Sequence, residues 1–515
     1  MRAVDEATLA AGTPGEVLMQ RAGEGVAEAL ERRWGSPLAL RVLVLAGGGN
    51  NGGDGFVAAR ALAARGARVA VAVCVPRERV RGDARLMLER LEAAAVEVRF
   101  VESAEALAGL AATLDHWDFA LDALLGTGAE GVPRGLVADA CRLANALRAH
   151  GTRVLAVDLP TGVGSDDGGA SPDAVHADVT VTFGHPRRGH WLWPGRGLRG
   201  ELEVVDIGLV APERAGIQPA ELASERELAP LVPVRDPRAH KGVSGRALLV
   251  GGAPGMTGAM VLAARAAARA GAGYVRVAAP ASLQATLAAQ LVEPMVLACG
   301  EDEHRTLTST ALPFVMAEAE RANAVAVGPG LSRNPHAASL ARELATRLAR
   351  PLVLDADALS ALSPAEDALV PALRLAPGPR VLTPHLGEMQ RLTGQTPQEL
   401  ESRRIDATRG WAKRWGAVVV LKGAPTVVAC PDGRVSVNPT GSPALATAGT
   451  GDVLTGTLVA LLAQGLAPYD AARLAVFAHG LAGELAGSEI GELGVTASDV
   501  IDRLPRALAR IRSAR

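Results

Sequence analysis

Lysine is nearly absent. The chain has 515 residues and 53 basic side chains, yet lysine occurs only at Lys241, Lys413 and Lys422. Basic excess is missing too: 55 acidic residues give a net charge of −2, so no global field attracts nucleic acid. Cysteine is limited to Cys74, Cys141, Cys299 and Cys430, far apart and without a C-x-x-C pair. That spacing excludes a zinc cluster and a disulfide framework and leaves reduced thiols in a cytoplasmic protein as the expectation. No stretch of 18 apolar residues runs without a charge or glycine, which argues against a membrane span. The opening MRAVDEATLA places acids before any apolar run, unlike a signal peptide. What is present is ample core material, 49% hydrophobic against 21% charged. The length suggests roughly two to four domains.

Alanine-rich helical stretches alternate with short Val/Leu strands, which implies α/β layers with mostly parallel sheets. The first series reads as strand 41–46, a glycine loop, helix 57–65 and strand 68–75. Strands 119–121, 154–158 and 179–183 follow, and the series closes near Ile207. Residues 211–224 contain two prolines and no clear period, and read as a linker. The second series begins with strand 246–250, a glycine loop, helix 259–270 and strand 274–278. Strands 324–327, 352–355, 380–382 and 417–421 come next, then a hairpin turning at 431–433 and helices 453–464 and 471–485. The expected organisation is a domain at 1–210, a linker at 211–224 and a domain at 225–515.

The loop GGGNNGGDG, residues 47–55, lies between a strand and a helix, where backbone amides converge on an anion. A dinucleotide fingerprint also needs an acid at the end of the next strand. That strand ends Val73-Cys74-Val75-Pro76-Arg77, so an ordinary NAD-dependent dehydrogenase is disfavoured. The paired asparagines and the aspartate bring side-chain oxygens that suit a hard cation as well as phosphate; a tight turn needing positive φ is the simpler alternative. Two further segments end strands where a doubly wound sheet keeps ligands: DALLGTG from Asp122, followed by Arg134-Gly135, and VDLPTG containing Asp158. Either aspartate alone is equally a helix cap.

Together with TFGHPRRG, these motifs resemble the NAD(P)H-hydrate epimerase family over about residues 1–210. The resemblance implies a Rossmann-like three-layer sandwich and a potassium ion held by Asn51, Asp122 and Thr161. It implies substrate contacts from Asn50, Asn51, Gly52, Gly53 and Asp54, from Gly126, Thr127, Gly128, Ala129, Glu130, Gly131 and Val132, and from Asp158. Asp158 would be the acid/base at the nicotinamide ring. The family has a lysine where this chain has Arg187, a side chain that stabilises charge but shuttles protons poorly.

In the second half, Thr447-Ala448-Gly449-Thr450-Gly451-Asp452 leads into an apolar helix. Glycine amides at a helix start form an anion hole, and an aspartate there is placed to take a proton from a hydroxyl facing the phosphate; capping alone is the simpler alternative. GPG (328–330), TPHLGE (383–388) and LKGA (421–424) each follow a strand. Lys422 and Lys241 both adjoin glycine at element ends, where a compact charge suits phosphate. His479, on an alanine-rich helix, reads as a packing residue, and Trp191 and Trp193 beside His190 as core or rim.

The strings NPTGSPALATAGTGDVLTG, TPHLGE, GPGL and HKGVSGRALLVGG resemble the ADP/ATP-dependent NAD(P)H-hydrate dehydratases, of ribokinase-like fold, over about residues 226–510. The resemblance implies that Ala259, Gly330, His385 and Asp452 contact the hydrate, and that Lys422, Gly423, Ala424, Pro425 and Thr426, with Thr447, Ala448, Gly449, Thr450 and Gly451, bind the adenine nucleotide. Asp452 would be the base, and magnesium would accompany ADP or ATP. The expected activity is bifunctional: epimerisation of R and S NADHX and NADPHX, then ADP-dependent dehydration of the S form, in a cytoplasmic homo-oligomer with no nucleic-acid or membrane partner. Two other readings stay open: a ribokinase-like kinase of a vitamin precursor, and an N-terminal half that is a non-catalytic nucleotide- or RNA-binding module.

Overall fold

Short apolar runs ending in glycine or aspartate become the strands. The computed structural model describes residues 1–113, 116–128, 131–238, 240–363 and 369–514. Its chain divides into two units, Met1–Gln218 and Pro219–Arg515.

In the first unit the strands are β1 (Arg41–Ala46), β2 (Arg68–Val73), β3 (Glu97–Phe100), β4 (Phe119–Ala123), β5 (Arg153–Val157), β6 (Val179–Phe183) and β7 (Glu201–Val205). Among the described residues they form one sheet in the order β3-β2-β1-β4-β5-β6-β7, parallel throughout. A parallel sheet is covered on both faces, so its strands are apolar on both sides. Val42, Val44 and Ala46 of β1 join a core with helices Gly15–Trp34, Asn50–Ala64 and Gly82–Ala93. Leu43 and Leu45 join the opposite core with helices Ala104–Ala111 and Leu136–Ala149. Strand order reverses between β1 and β4, which opens a crevice at their carboxyl ends.

The first glycine motif is not a free loop. The helix begins at Asn50 rather than near 57, so Asn50, Asn51, Gly52, Gly53, Asp54 and Gly55 are its first turns. The glycines serve close packing: a Cβ on Gly55 would overlap Ala123 of β4, and one on Gly53 would overlap Met19. Tertiary contact therefore overrides the low helix propensity of glycine.

In the second unit the strands are β8 (Ala220–Leu222), β9 (Arg246–Val250), β10 (Tyr274–Pro280), β11 (Met295–Cys299), β12 (Ala324–Val327), β13 (Leu352–Leu354), β14 (Arg380–Leu382), β15 (Val418–Leu421), β16 (Val427–Ala429) and β17 (Val435–Val437). Their order is β11-β10-β9-β12-β13-β14-β15-β16-β17-β8. The sheet is parallel from β11 to β15, antiparallel through the β16–β17 hairpin, and parallel again between β17 and β8. β8 lies inside 211–224, which is therefore not irregular throughout. A three-residue edge strand is too short to display a period. Helices Thr257–Arg269, Thr450–Ala463, Pro468–Ile490 and Ala497–Ser513 share one large core. Gly456 lets the second of these approach the first so closely that a Cβ would strike the Ala263 carbonyl. Strand order reverses between β9 and β12, again opening a crevice. Among the described residues, no helix is long and apolar enough to cross a membrane.

Candidate functional site

Each crevice gathers chemistry-bearing residues. In the first unit, Asp122 sits at the end of β4, fully buried. Its Oδ2 accepts from the Thr161 backbone N–H at 2.7 Å, and its Oδ1 from the Thr161 hydroxyl at 2.7 Å. Burial nevertheless pushes the Asp122 carboxyl up to about 6. The Leu125 N–H reaches Thr161 Oγ1 at 3.1 Å. Asn51 is buried close by: a Cβ on Gly126 would lie 3.2 Å from its Cγ and 3.3 Å from its Oδ1. Both Oδ1 and Nδ2 of Asn51 lack a hydrogen-bond partner. A buried amide with no partner is costly, and an oxygen-rich surround of this kind suits a hard cation.

Asp158 follows β5 with φ +65°, a conformation that side-chain-bearing residues rarely adopt. Such strain often marks a functional position. Its Oδ1 accepts from Thr182 Oγ1 at 2.9 Å and from Arg187 Nη2 at 2.7 Å. His190 receives the Arg187 N–H on Nδ1 at 2.9 Å, so its Nε2–H donates to the Asp158 carbonyl at 2.8 Å. Burial pushes His190 down to about 4 and keeps the ring neutral. Burial also raises the Asp54 carboxyl well above its usual range, with the charges of Asp158 and Asp5 adding to the effect.

In the second unit, Asp452 lies in the first turn of helix Thr450–Ala463, behind Gly449 at φ +89°. Burial first, then the charge of Asp355, pushes its carboxyl up to about 7. Lys422 follows β15, and a Cβ on Gly451 would stand 3.7 Å from its Nζ, which brings the lysine to the mouth of the glycine turn. Gly330, at φ +59°, packs on the second candidate hydrate contact: a Cβ there would meet Ala259 Cβ at 3.4 Å. His385 caps helix Leu386–Thr393, its Nδ1 accepting from the Gly387 N–H at 3.0 Å.

A cleft of about 500 Å³ lies elsewhere, at the amino ends of β5, β6 and β7. Arg148 pairs there with Asp178 at 2.8 Å and Arg33 with Glu201 at 2.5 Å, Arg153 lies over the Trp34 ring at 5.4 Å, and the cleft carries neither Asp122 nor Asp158.

Comparison with known proteins agrees with this double arrangement. Residues 15–189 match the family described as YjeF-related protein N-terminus. Residues 247–506 match the NAD(P)H-hydrate dehydratase family. A bifunctional NAD(P)H-hydrate repair enzyme of Moorella thermoacetica is 42% identical over 503 residues, covering 97% of this chain and 93% of that protein. The chain belongs to the bifunctional NAD(P)H-hydrate repair enzyme family. Its Escherichia coli member is 34% identical, over 95% of this chain and 88% of its own. An ADP/ATP-dependent NAD(P)H-hydrate dehydratase from Bacillus subtilis, co-crystallised with ATP and magnesium, is 31% identical, covers 57% of this chain and 100% of its own, and superposes with a TM-score of 0.49.

Among the repair-enzyme motifs, Gly126, Thr127, Gly128, Gly131 and Val132 are described, whereas Ala129 and Glu130 lie outside the described residues. Lys241 is not at the second crevice. It stacks on Tyr274 at 5.2 Å, by the amino end of β10, opposite the strand ends that carry Asp452's neighbours. His479 does more than fill space: its Nε2–H donates to the Thr450 carbonyl at 2.9 Å and steadies the glycine turn. Trp191 lies under the Arg199 guanidinium at 4.6 Å, and Trp193 is exposed at the rim.

Two residues escaped the motif reading. Buried Arg404 donates to the carbonyls of Leu421, Lys422 and Pro425 at 3.2, 2.7 and 2.8 Å, and so clamps the Lys422–Thr426 turn. Asp355, just after β13, accepts from Lys422 Nζ at 2.8 Å. An acid directly following an apolar strand was the available signal for Asp355. Arg404 opens helix Arg404–Trp415, well before the turn in sequence, and offers none.

Proposed function

We propose that this protein repairs hydrated NAD(P)H, its first unit interconverting the R and S forms of NADHX and NADPHX and its second dehydrating the S form with ADP. The observation that carries the reading is the meeting of Asp452, Lys422 and the Gly449–Gly451 turn at one helix start. A base, a fixed cation and converging amides are what phosphoryl transfer to a hydroxyl requires.

In the second unit, Asp452 takes the proton of the C6 hydroxyl as its oxygen attacks the β-phosphorus of ADP, releasing AMP. Lys422 and the amides from Thr447 to Gly451 hold the transferring phosphoryl group. Phosphate then leaves with the C–O bond electrons, a ring proton is lost, and the dihydropyridine is restored. Ala259, Gly330 and His385 would face the hydrate, and Gly423, Ala424, Pro425 and Thr426 the nucleotide. Magnesium arriving with the nucleotide would neutralise phosphate charge.

In the first unit, Asp158 is the acid/base, and Arg187 and Thr182 fix its carboxylate. Asn51, Asp122 and Thr161 would hold potassium. The unpartnered Asn51 amide, against Gly126 and so one residue from the Leu125 N–H that reaches Thr161, supports that choice, and the ion would supply positive charge next to the substrate loops. Four free cysteines, three of them buried, support a reducing cytoplasm, and sedimentation tests the expected homo-oligomer.

The decisive variant is Asp452→Asn. It should lose turnover of S hydrate on the order of 100-fold or more while keeping ADP affinity, read by calorimetry. Retained turnover would reduce Asp452 to a helix cap.

A further inference from the structure

A buried carboxylate outside every motif assigned to the nucleotide or the hydrate joins the elements of the second crevice. Asp355 is 2% exposed. Its Oδ1 accepts from Lys422 Nζ at 2.8 Å and from Thr383 Oγ1 at 2.8 Å, and its Oδ2 accepts from Thr455 Oγ1 at 2.7 Å. The three donors come from three places: the turn after β15, the turn after β14, and helix Thr450–Ala463. Thr455 lies three residues beyond Asp452, on the same side of that helix. One carboxylate therefore ties the cation and the base-bearing helix to the end of β13.

Stability alone does not account for such a group. Buried ion pairs often contribute no more than well-packed apolar residues would. A purely structural β13 end could have been closed with leucine or asparagine.

We infer that Asp355 is a positioning residue for phosphoryl transfer, holding the Lys422 ammonium and the Asp452 helix in register through one hydrogen-bonded array. The inference rests on the dehydratase reading of the second unit. Its electrostatics agree with the geometry. Burial opposes the charge on Asp355, but Lys422 and the three hydrogen bonds outweigh it and hold the carboxyl below its usual range. That fixed negative charge is the main neighbour raising Asp452, with Asp357 adding and Lys422 opposing. Two carboxylates with proton affinities driven apart suit one for anchoring and the other for taking a proton. Other groups nearby are Glu388, 3.7 Å from Lys422 Nζ, His385 with Arg391 acting on both it and Glu388, Arg404 on the Lys422 carbonyl, and His479, pushed down to about 4 by burial. On the helices packed behind, Arg269 pairs with Asp502, and Arg503 with Glu489 and Asp499.

The test uses the full chain with Asp355→Asn. Turnover of S hydrate should fall on the order of 100-fold, as a small misplacement of reacting groups does. The acid limb of the turnover–pH profile should move to lower pH, because the charge that raises Asp452 is gone and Lys422 is left uncompensated. ADP affinity, measured by calorimetry, should weaken as Lys422 loses its anchor. Wild-type turnover with an unmoved acid limb would overturn the inference, as would unchanged ADP affinity. Calorimetry needs no hydrate, so it still judges Asp355 if the wild-type chain turned over no hydrate, a result that would instead remove the dehydratase reading. Should Asp355→Asn fail to fold, Thr455→Val keeps the Asp355–Lys422 pair and cuts only the tie to the helix. It should lower kcat with ADP affinity intact, and a folded Thr455→Val protein with wild-type kcat would overturn the inference.

Discussion

Arg187 donates from Nη2 to Asp158 Oδ1 at 2.7 Å, and both side chains are buried. An arginine does not give up its proton at physiological pH, so this partner can hold charge but not shuttle a proton. Arg187→Ala should leave a buried carboxylate unpaired and cost about 3–5 kcal/mol in the first unit's stability, measured by urea unfolding. Arg187→Lys keeps the charge and should keep epimerisation of R hydrate. Loss of epimerisation in the lysine variant would contradict the role given to this pair.

Asp122 links the first crevice to pH. Burial sets its carboxyl at about 6 in the folded chain, above about 3.9 for an unfolded aspartate. The folded state therefore binds the proton more tightly. Its contribution to stability is complete below about pH 4 and is lost as pH rises through about 6. A bound cation reverses that loss. Potassium should thus raise the first unit's Tm at pH 8 and scarcely at pH 5, against a choline control. Equal shifts at both values would speak against binding at Asp122. Asp122→Ala should weaken epimerisation and leave dehydration of pure S hydrate unchanged.

The boundary between the units also makes a prediction. β8 pairs with β17, and Ala223 belongs to the second core. A fragment starting at Pro219 keeps both, while one starting at residue 225 loses both and should be about 1–3 kcal/mol less stable. The longer fragment should dehydrate S hydrate only. Clearance of R and S forms at equal rates would end the proposed division of labour.

Asp452, raised to about 7, must lose its proton to act as a base. Dehydratase turnover should therefore climb as pH rises through about 7. A profile flat from pH 5 to 9, with chemistry limiting, would show that no such base is used.

The strands absent from the sequence reading are β3, β7, β8 and β11, and these are the four edges of the two sheets. Interior parallel strands are apolar on both faces and stand out as short runs; β1, β6, β9, β12 and β14 have the expected bounds. Edge strands such as Glu97–Phe100 alternate exposed and half-buried residues and look like loop. The site divides in the same way. Motif residues following a strand, such as Asp158 and Lys422, announce themselves. Arg404 reaches a turn encoded elsewhere, and Asp355, though it too follows a strand, finds its partners on other elements; only the fold brings these groups together. The early start of helix Asn50–Ala64 was hidden because the spacing of its glycines answers to Met19 and Ala123, not to helix propensity.

The measurement closest to the central claim is recovery of NADH absorbance from a mixed R/S hydrate supplied with ADP, magnesium and potassium. The wild-type chain should clear both forms. The Asp122→Ala chain should clear the S share and then slow to the spontaneous epimerisation rate, and the Asp452→Asn chain should clear almost none. Absence of ADP-dependent recovery in the wild type, or full recovery in the Asp452→Asn chain, would contradict the account.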